Sequence, residues 1–219
     1  MAGKNLTNAK RRLLEHLKRA GPSTAPDLAL ALELTDVAVR QHLQSLQELA
    51  LVEQAAAPVI SSTPASRGRP PTAWALTTEA ESVFPDSHAE LAVGLIDAAR
   101  EAFGAEGVMR LVEVRARDQL NMYREAMPRE DAPLSKRVRA LARLRTKEGY
   151  MAQVVQEKPG VFLLIEHHCP ICDAAKACQG LCSAELDVFE RVLGKGTRVE
   201  RVEHLLNGGQ RCVYRIAST

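Results

Sequence analysis

Four of the chain's five cysteines fall within fourteen residues: Cys169, Cys172, Cys178 and Cys182. Cys212 follows thirty positions later, and the rest of the chain has none. Met1 to Leu6 carry no apolar leader that would send the chain to an oxidising compartment. Clustered thiols in that setting point to metal or redox chemistry rather than a disulfide framework. Cys169-x2-Cys172 has the spacing of a metal knuckle, and Cys178-x3-Cys182 places two thiols one helical turn apart if that stretch is helical. Zinc and iron–sulfur clusters each take about four such ligands, so five thiols are one more than either needs. His167 and His168 flank the segment and suit a supporting role better than ligation. The plainer alternative is a set of buried, unligated cysteines.

The remaining composition bounds the rest. An apolar fraction of 46% allows a full core across 219 residues, while 4% aromatics and abundant Ala and Leu favour helix. A net charge of +2 requires any nucleic-acid-binding surface to be local. No apolar run approaches ~20 residues, so no membrane span is expected, and with no signal-peptide core read at the N-terminus a cytoplasmic location is the default expectation.

Residues 7–19 form an expected first helix with Leu13, Leu14 and Leu17 on one face, stopped by Gly21-Pro22. Thr24 can cap a second helix with Pro26 in its first turn, and Glu33-Leu34 make a short turn. Thr35 then caps a third helix from Asp36 to about Leu49, with Val39, Leu43 and Leu46 as its buried stripe. Three short helices with a tight second turn are a helix-turn-helix arrangement. Two strands follow, at 51–54 and 72–77, joined by a Pro/Ser/Gly-rich tip containing Arg67-Gly68-Arg69-Pro70, which predicts a wing.

Residues 78–84 suggest a short helix, and helical patterns fill 87–103, 107–126 and 134–148. The last of these holds Lys136, Arg137, Arg139, Arg143, Arg145 and Lys147, which could meet DNA or an acidic partner; a solvated face is the simpler expectation. A hairpin at 150–156 and 161–166, a helix at 183–193 and strands at 198–203 and 211–216 predict a small sheet that returns Cys212 towards the cysteine loop. The expected fold is mainly α with an α+β C-terminal domain. It divides into a winged helix-turn-helix domain (1–84), a helical connecting and dimerising region (85–148) and an α+β cysteine-rich, metal-binding domain (149–219).

With Val39, Leu43 and Leu46 inward, Arg40, Gln41 and Gln44 face outward, where Arg suits guanine and Gln suits adenine or phosphate. Thr35 opens that helix. Arg67 and Arg69 at the wing tip suit phosphates or the minor groove. These six are the expected DNA-contacting residues. His42 fits a supporting or phosphate-contacting role better than metal binding.

The run from Leu34 to Leu43, followed by Leu49-Ala50-Leu51-Val52 and Gly68-Arg69-Pro70, resembles the winged-helix regulators of the ArsR/DeoR-like superfamily. Joined to the cysteine pattern, it resembles the SufR-type iron–sulfur regulators over nearly the whole chain. In that family three cysteines hold a [4Fe-4S] cluster; Cys169, Cys182 and Cys212 match their positions, including the twelve residues between the first two. Cys172 and Cys178 go beyond that pattern, and either could supply a fourth ligand. Cys178 is slightly favoured because it would share a turn with Cys182. The resemblance implies a homodimeric repressor that binds a double-stranded operator under control of an iron–sulfur cluster, with no catalytic activity, small-molecule substrate or membrane partner. The alternatives are a zinc-stabilised winged-helix repressor without redox sensing, and a thiol oxidoreductase using Cys169-x2-Cys172.

Overall fold

The structure is a computed structural model and describes residues 6–56 and 72–218. It is mainly helical, with two antiparallel sheets among the described residues, and divides into two units, Met1–Asp86 and Ser87–Thr219. Arg67 and Arg69 of the expected wing tip lie outside the described residues.

In the first unit, α1 (Asn8–Ala20), α2 (Ala25–Leu32) and α3 (Asp36–Glu48) each begin at a threonine cap. The hydroxyls of Thr7, Thr24 and Thr35 accept the backbone N–H three residues on, satisfying a donor that a helix N-terminus otherwise leaves free. Leu13, Leu14, Leu28, Val39, Leu43, Leu46 and Leu51 are sealed from solvent in the core. Strands β2 (Val52–Ala56) and β3 (Thr72–Leu76) pair from Val52 opposite Leu76 to Ala56 opposite Thr72, as the wing requires. A two-residue strand, β1 (Ser23–Thr24), adds to β3 and was not expected; two residues leave no periodic signal. Residues Thr78–Val83 form a 3-10 turn.

The second unit begins with α4 (His88–Ala126), whose helical conformation is interrupted at Gly104 (φ 71°, ψ 178°). The break separates the two expected helical stretches. Next come α5 (Leu134–Lys147), β4 (Ala152–Lys158), β5 (Val161–Glu166), α6 (Cys172–Ala177), α7 (Gly180–Leu193), β6 (Thr197–Glu203) and β7 (Cys212–Ser218). The sheet runs β4-β5-β7-β6, every neighbour antiparallel.

Leu120 and Tyr123 of α4, Val138 and Leu141 of α5, and Phe189 and Leu193 of α7 share one core with Phe162, Leu164, Tyr214 and Ile216 of the sheet. Residues 85–148 and 149–219, expected as separate regions, therefore close around the same apolar interior. The basic helix also departs from expectation: Arg145 is fully buried and Arg137 nearly so. Both fall on the face that carries Leu134, Val138 and Leu141, so helical spacing turns them inward. No helix among the described residues is long and apolar enough to cross a membrane.

Candidate metal centre and nucleic-acid interface

Strand register brings the first two thiols together. Glu166 ends β5 opposite Cys212, the first residue of β7. Three residues beyond Glu166 lies Cys169, held near the sheet because the His168 N–H donates to the Tyr150 carbonyl. Cys182 arrives on the first turn of α7, whose Val188, Phe189 and Leu193 anchor it to the sheet. Cys169, Cys182 and Cys212 line one small cavity with Tyr150, Glu166, Glu185, His204 and Tyr214. Its volume, about 20 Å³, is room for about one water molecule.

Cys178 is not part of this group. It ends α6 in extended conformation (φ −143°, ψ 94°), outside the helix that carries Cys182, so the shared turn expected from the sequence does not form. Its thiol is buried with Val108, Val112 and Leu181 and lines a different, apolar cavity of about 380 Å³. Cys172 opens α6. It lies close enough to Cys169 and Cys182 to act on them electrostatically, but does not line their cavity. His167 is exposed and bonds Gln153 at 3.1 Å.

Burial pushes the Cys169 thiol up to about 12 and Cys182 up to about 11, and raises Cys212 as well. Arg201 partly offsets this at Cys182 and Cys212, because a guanidinium favours a neighbouring thiolate. The Leu205 N–H acts in the same direction on Cys212. The thiols thus hold their protons until something replaces them, and metal binding releases protons from such groups.

Behind the cavity lies a charged cluster that sequence reading missed. The Arg145 guanidinium donates to Glu166 at 2.5 and 3.3 Å, to Glu185, and to Glu148 at 3.1 Å. It stacks 3.3 Å from the centre of the Tyr150 ring. Tyr150 and Tyr214 donate hydroxyls to Glu185, and Tyr123 to Glu148. Burial raises the Glu166 carboxyl to about 7, against the opposing pull of Arg145, because one cation serves several carboxylates. A signal existed: Glu166 ends the apolar run Val-Phe-Leu-Leu-Ile, and an acid there needs a buried cation.

Cys169, Cys182 and Cys212 are the donor type a thiolate-held centre takes, with Arg201 beside two of them, but their cavity as it stands is too small for a cluster. No group of three or more His, Cys, Asp and Glu side chains among the described residues is arranged to hold a metal ion. A cluster would require this cavity to widen.

On α3, Arg40, Gln41 and Gln44 are exposed on the side opposite Val39, Leu43 and Leu46. The Arg40 Nε donates to Asp36 at 2.6 Å. An exposed pair of this kind contributes about 0.3–0.5 kcal/mol, little enough for Arg40 to be redirected by a base. Thr35 is occupied as the helix cap, which leaves its hydroxyl a structural duty. His42 is half-buried on the same helix.

No family model matches the chain, and no curated protein matches it. Among solved structures, the chain is similar to ZitR of Lactococcus lactis, a zinc-responsive MarR family member (25% identity over 50% of this chain and 72% of that one, TM-score 0.31). It is also similar to the adhesin competence repressor AdcR of Streptococcus pyogenes (21% identity, 49% and 75% covered, TM-score 0.31). A third is RV1404 of Mycobacterium tuberculosis (19% identity, 67% and 76% covered, TM-score 0.30). At such TM-scores the likeness adds nothing to the functional reading, which rests on this chain's own residues.

Proposed function

We propose that the chain is a homodimeric, DNA-binding transcription regulator, a repressor, whose operator binding is governed by an iron–sulfur cluster, [4Fe-4S], at Cys169, Cys182 and Cys212. The observation that carries this reading is the convergence of those three thiols, from three separate elements, on one cavity. They are also the cysteines that match the SufR-type pattern. DNA binding is supported by the three capped helices, the paired wing strands and the outward Arg40, Gln41 and Gln44. Arg67 and Arg69 belong to this reading as wing contacts.

The cysteine segment packs against α4, which gives it a route to the rest of the chain. Arg100 donates to the Ala177 carbonyl at 2.7 Å, and Cys178 and Leu181 pack on Val108 and Val112. Helix α4 follows directly on the winged-helix unit. A rearrangement of the cysteine segment on loading would therefore reach α4. A bound cluster would supply one-electron redox chemistry and lability to oxidants, the properties a sensor uses.

The test is anaerobic reconstitution with iron and sulfide, elemental analysis, and titration of a selected duplex with loaded and unloaded protein. A brown protein with matched iron and sulfide, whose loading changes its duplex affinity, is expected. Cys169→Ser, Cys182→Ser and Cys212→Ser should each abolish loading, and Cys178→Ser should not. Uptake of zinc alone would replace the cluster with the zinc-stabilised alternative, and disulfide exchange on a dithiol substrate would favour the oxidoreductase.

A further inference from the structure

Helix α3 presents one outward stripe, and the stripe begins on an apolar residue. Val37, Arg40, Gln41 and Gln44 recur at helical spacing and are all exposed. Val37 is 66% exposed and takes no part in the core that holds Val39, Leu43 and Leu46. A β-branched side chain in a helix keeps mainly one rotamer, so its two methyls are offered in a fixed direction. In the major groove the matching apolar group is the 5-methyl of thymine; the other base edges present hydrogen-bond donors and acceptors.

Beside Val37 on the same stripe, Arg40 is held by one nitrogen only. Its Nε donates to Asp36 Oδ2 at 2.6 Å, and its two terminal nitrogens have no hydrogen-bond or ion-pair partner among the described residues. Those two nitrogens form the fork that can meet O6 and N7 of a guanine together. Asp36 opens the helix directly after the Thr35 cap, and its other carboxylate oxygen, Oδ1, is buried. The fold as well as the arginine therefore sets the carboxylate. In water this exposed pair is weak, but a groove that strips water from it strengthens it. Three residues separate Val37 from Arg40, about 4.5 Å along the helix, against about 3.4 Å between stacked base pairs. The two side chains thus reach base pairs no more than two steps apart.

We propose that each operator half-site carries a guanine read by Arg40 and, within two base pairs of it, a thymine whose methyl packs on Val37. Asp36 is a positioning residue: it acts through Arg40, fixing Nε so that the fork faces the groove. The proposal rests on the DNA-binding reading above and is independent of what the cysteines hold.

The experiment starts from duplexes selected out of random DNA by the full chain, as purified and after anaerobic reconstitution with iron and sulfide. The winning duplex is remade with deoxyuridine in place of each thymine in turn, and with 7-deazaguanine in place of each guanine in turn. The first change deletes one methyl and the second removes N7; both keep the base pairing. Wild type should lose about fourfold in affinity at one thymine per half-site, the value of one buried methyl. It should lose about tenfold at one guanine within two base pairs of that thymine. Val37→Ala should bind the thymine and deoxyuridine duplexes equally while keeping the guanine effect. Asp36→Ala should shrink the guanine effect, and Asp36→Asn, whose amide oxygen still accepts from Nε, should restore part of it. These are ratios between duplexes, which a loss of helix stability would not move. A deoxyuridine penalty undiminished in Val37→Ala, or no such penalty in wild type, overturns the thymine contact. A guanine effect unchanged in Asp36→Ala overturns the positioning role. Selection that enriches no duplex removes the DNA-binding reading itself, whereas an enriched duplex without these two signatures removes only this inference.

Discussion

Arg145 ties several segments of the second unit together. It is fully buried and touches carboxylates from three segments: Glu148 just after its own helix, Glu166 at the end of β5 and Glu185 on α7. Burial pulls its proton affinity down, but Glu185 and Glu166 outweigh that and hold it charged. Arg145→Ala would strand buried carboxylates, and removing one partner of such a group costs about 3–5 kcal/mol. Urea unfolding monitored by circular dichroism should show that loss; a change under 1 kcal/mol would mean the cluster contributes no net stability. Glu166 gives a pH signature. Its folded-state value of about 7 lies above the ordinary 4.5, so the folded chain binds this proton more tightly than the unfolded chain. The associated stability is full at pH values below the ordinary carboxylate range and is lost as pH rises towards 7 and through it. Melting temperatures across that window should fall more steeply for wild type than for Glu166→Gln, and parallel profiles would contradict the assignment.

At the level of elements, the helices of the first unit were legible because their caps and stripes are local. Thr24 and Thr35 sit immediately before their helices, and Val39, Leu43 and Leu46 repeat at three and four, whereas Thr7, expected within the first helix, caps it. Helix α6 was not: at six residues it is too short for a period to declare itself, and it changed where Cys178 points. Two consequences belong at this scale. Arg40→Ala should weaken binding to a selected duplex by about 1–3 kcal/mol more than to a scrambled one, because an outward arginine on α3 can read a base edge. Titrations of both duplexes over a salt series decide it, equal losses marking a phosphate contact instead. Gly104 breaks α4 at φ 71°, and a Cβ there would meet nothing within 4 Å. Gly104→Ala therefore isolates backbone strain, about 1–3 kcal/mol in that region of conformational space. A chemical melt unchanged by the substitution would show that the break can straighten at no cost.

At the scale of the whole molecule, α4 leaves much apolar surface uncovered. Leu91, Leu95, Phe103 and Leu111 are each more than half exposed, more than a lone chain ordinarily tolerates along one helix. Under the proposed DNA-binding reading, one recognition helix per chain is small for specific binding, and a homodimer on paired half-sites is the expectation. Sedimentation at micromolar concentration should show a dimer. Leu95→Glu, at a position 62% exposed, should yield a monomer with little change in melting temperature, apart from any contribution of dimerisation itself. A wild type that sediments as a monomer would sink this expectation.

What the amino-acid order determined by itself was local: capped helices, wing strands, the hairpin signal at 158–160 and the density of thiols. Each depends on residues a few positions apart, whose spacing already encodes a period or a cap. What only the tertiary structure decided was which groups meet. The register that sets Cys212 opposite Glu166, the burial of Arg145 on a helix of basic residues, and the unpartnered nitrogen of His204 beside three thiols all join segments distant in sequence. Strand pairing and core closure bring such segments together, and spacing along the chain cannot record them.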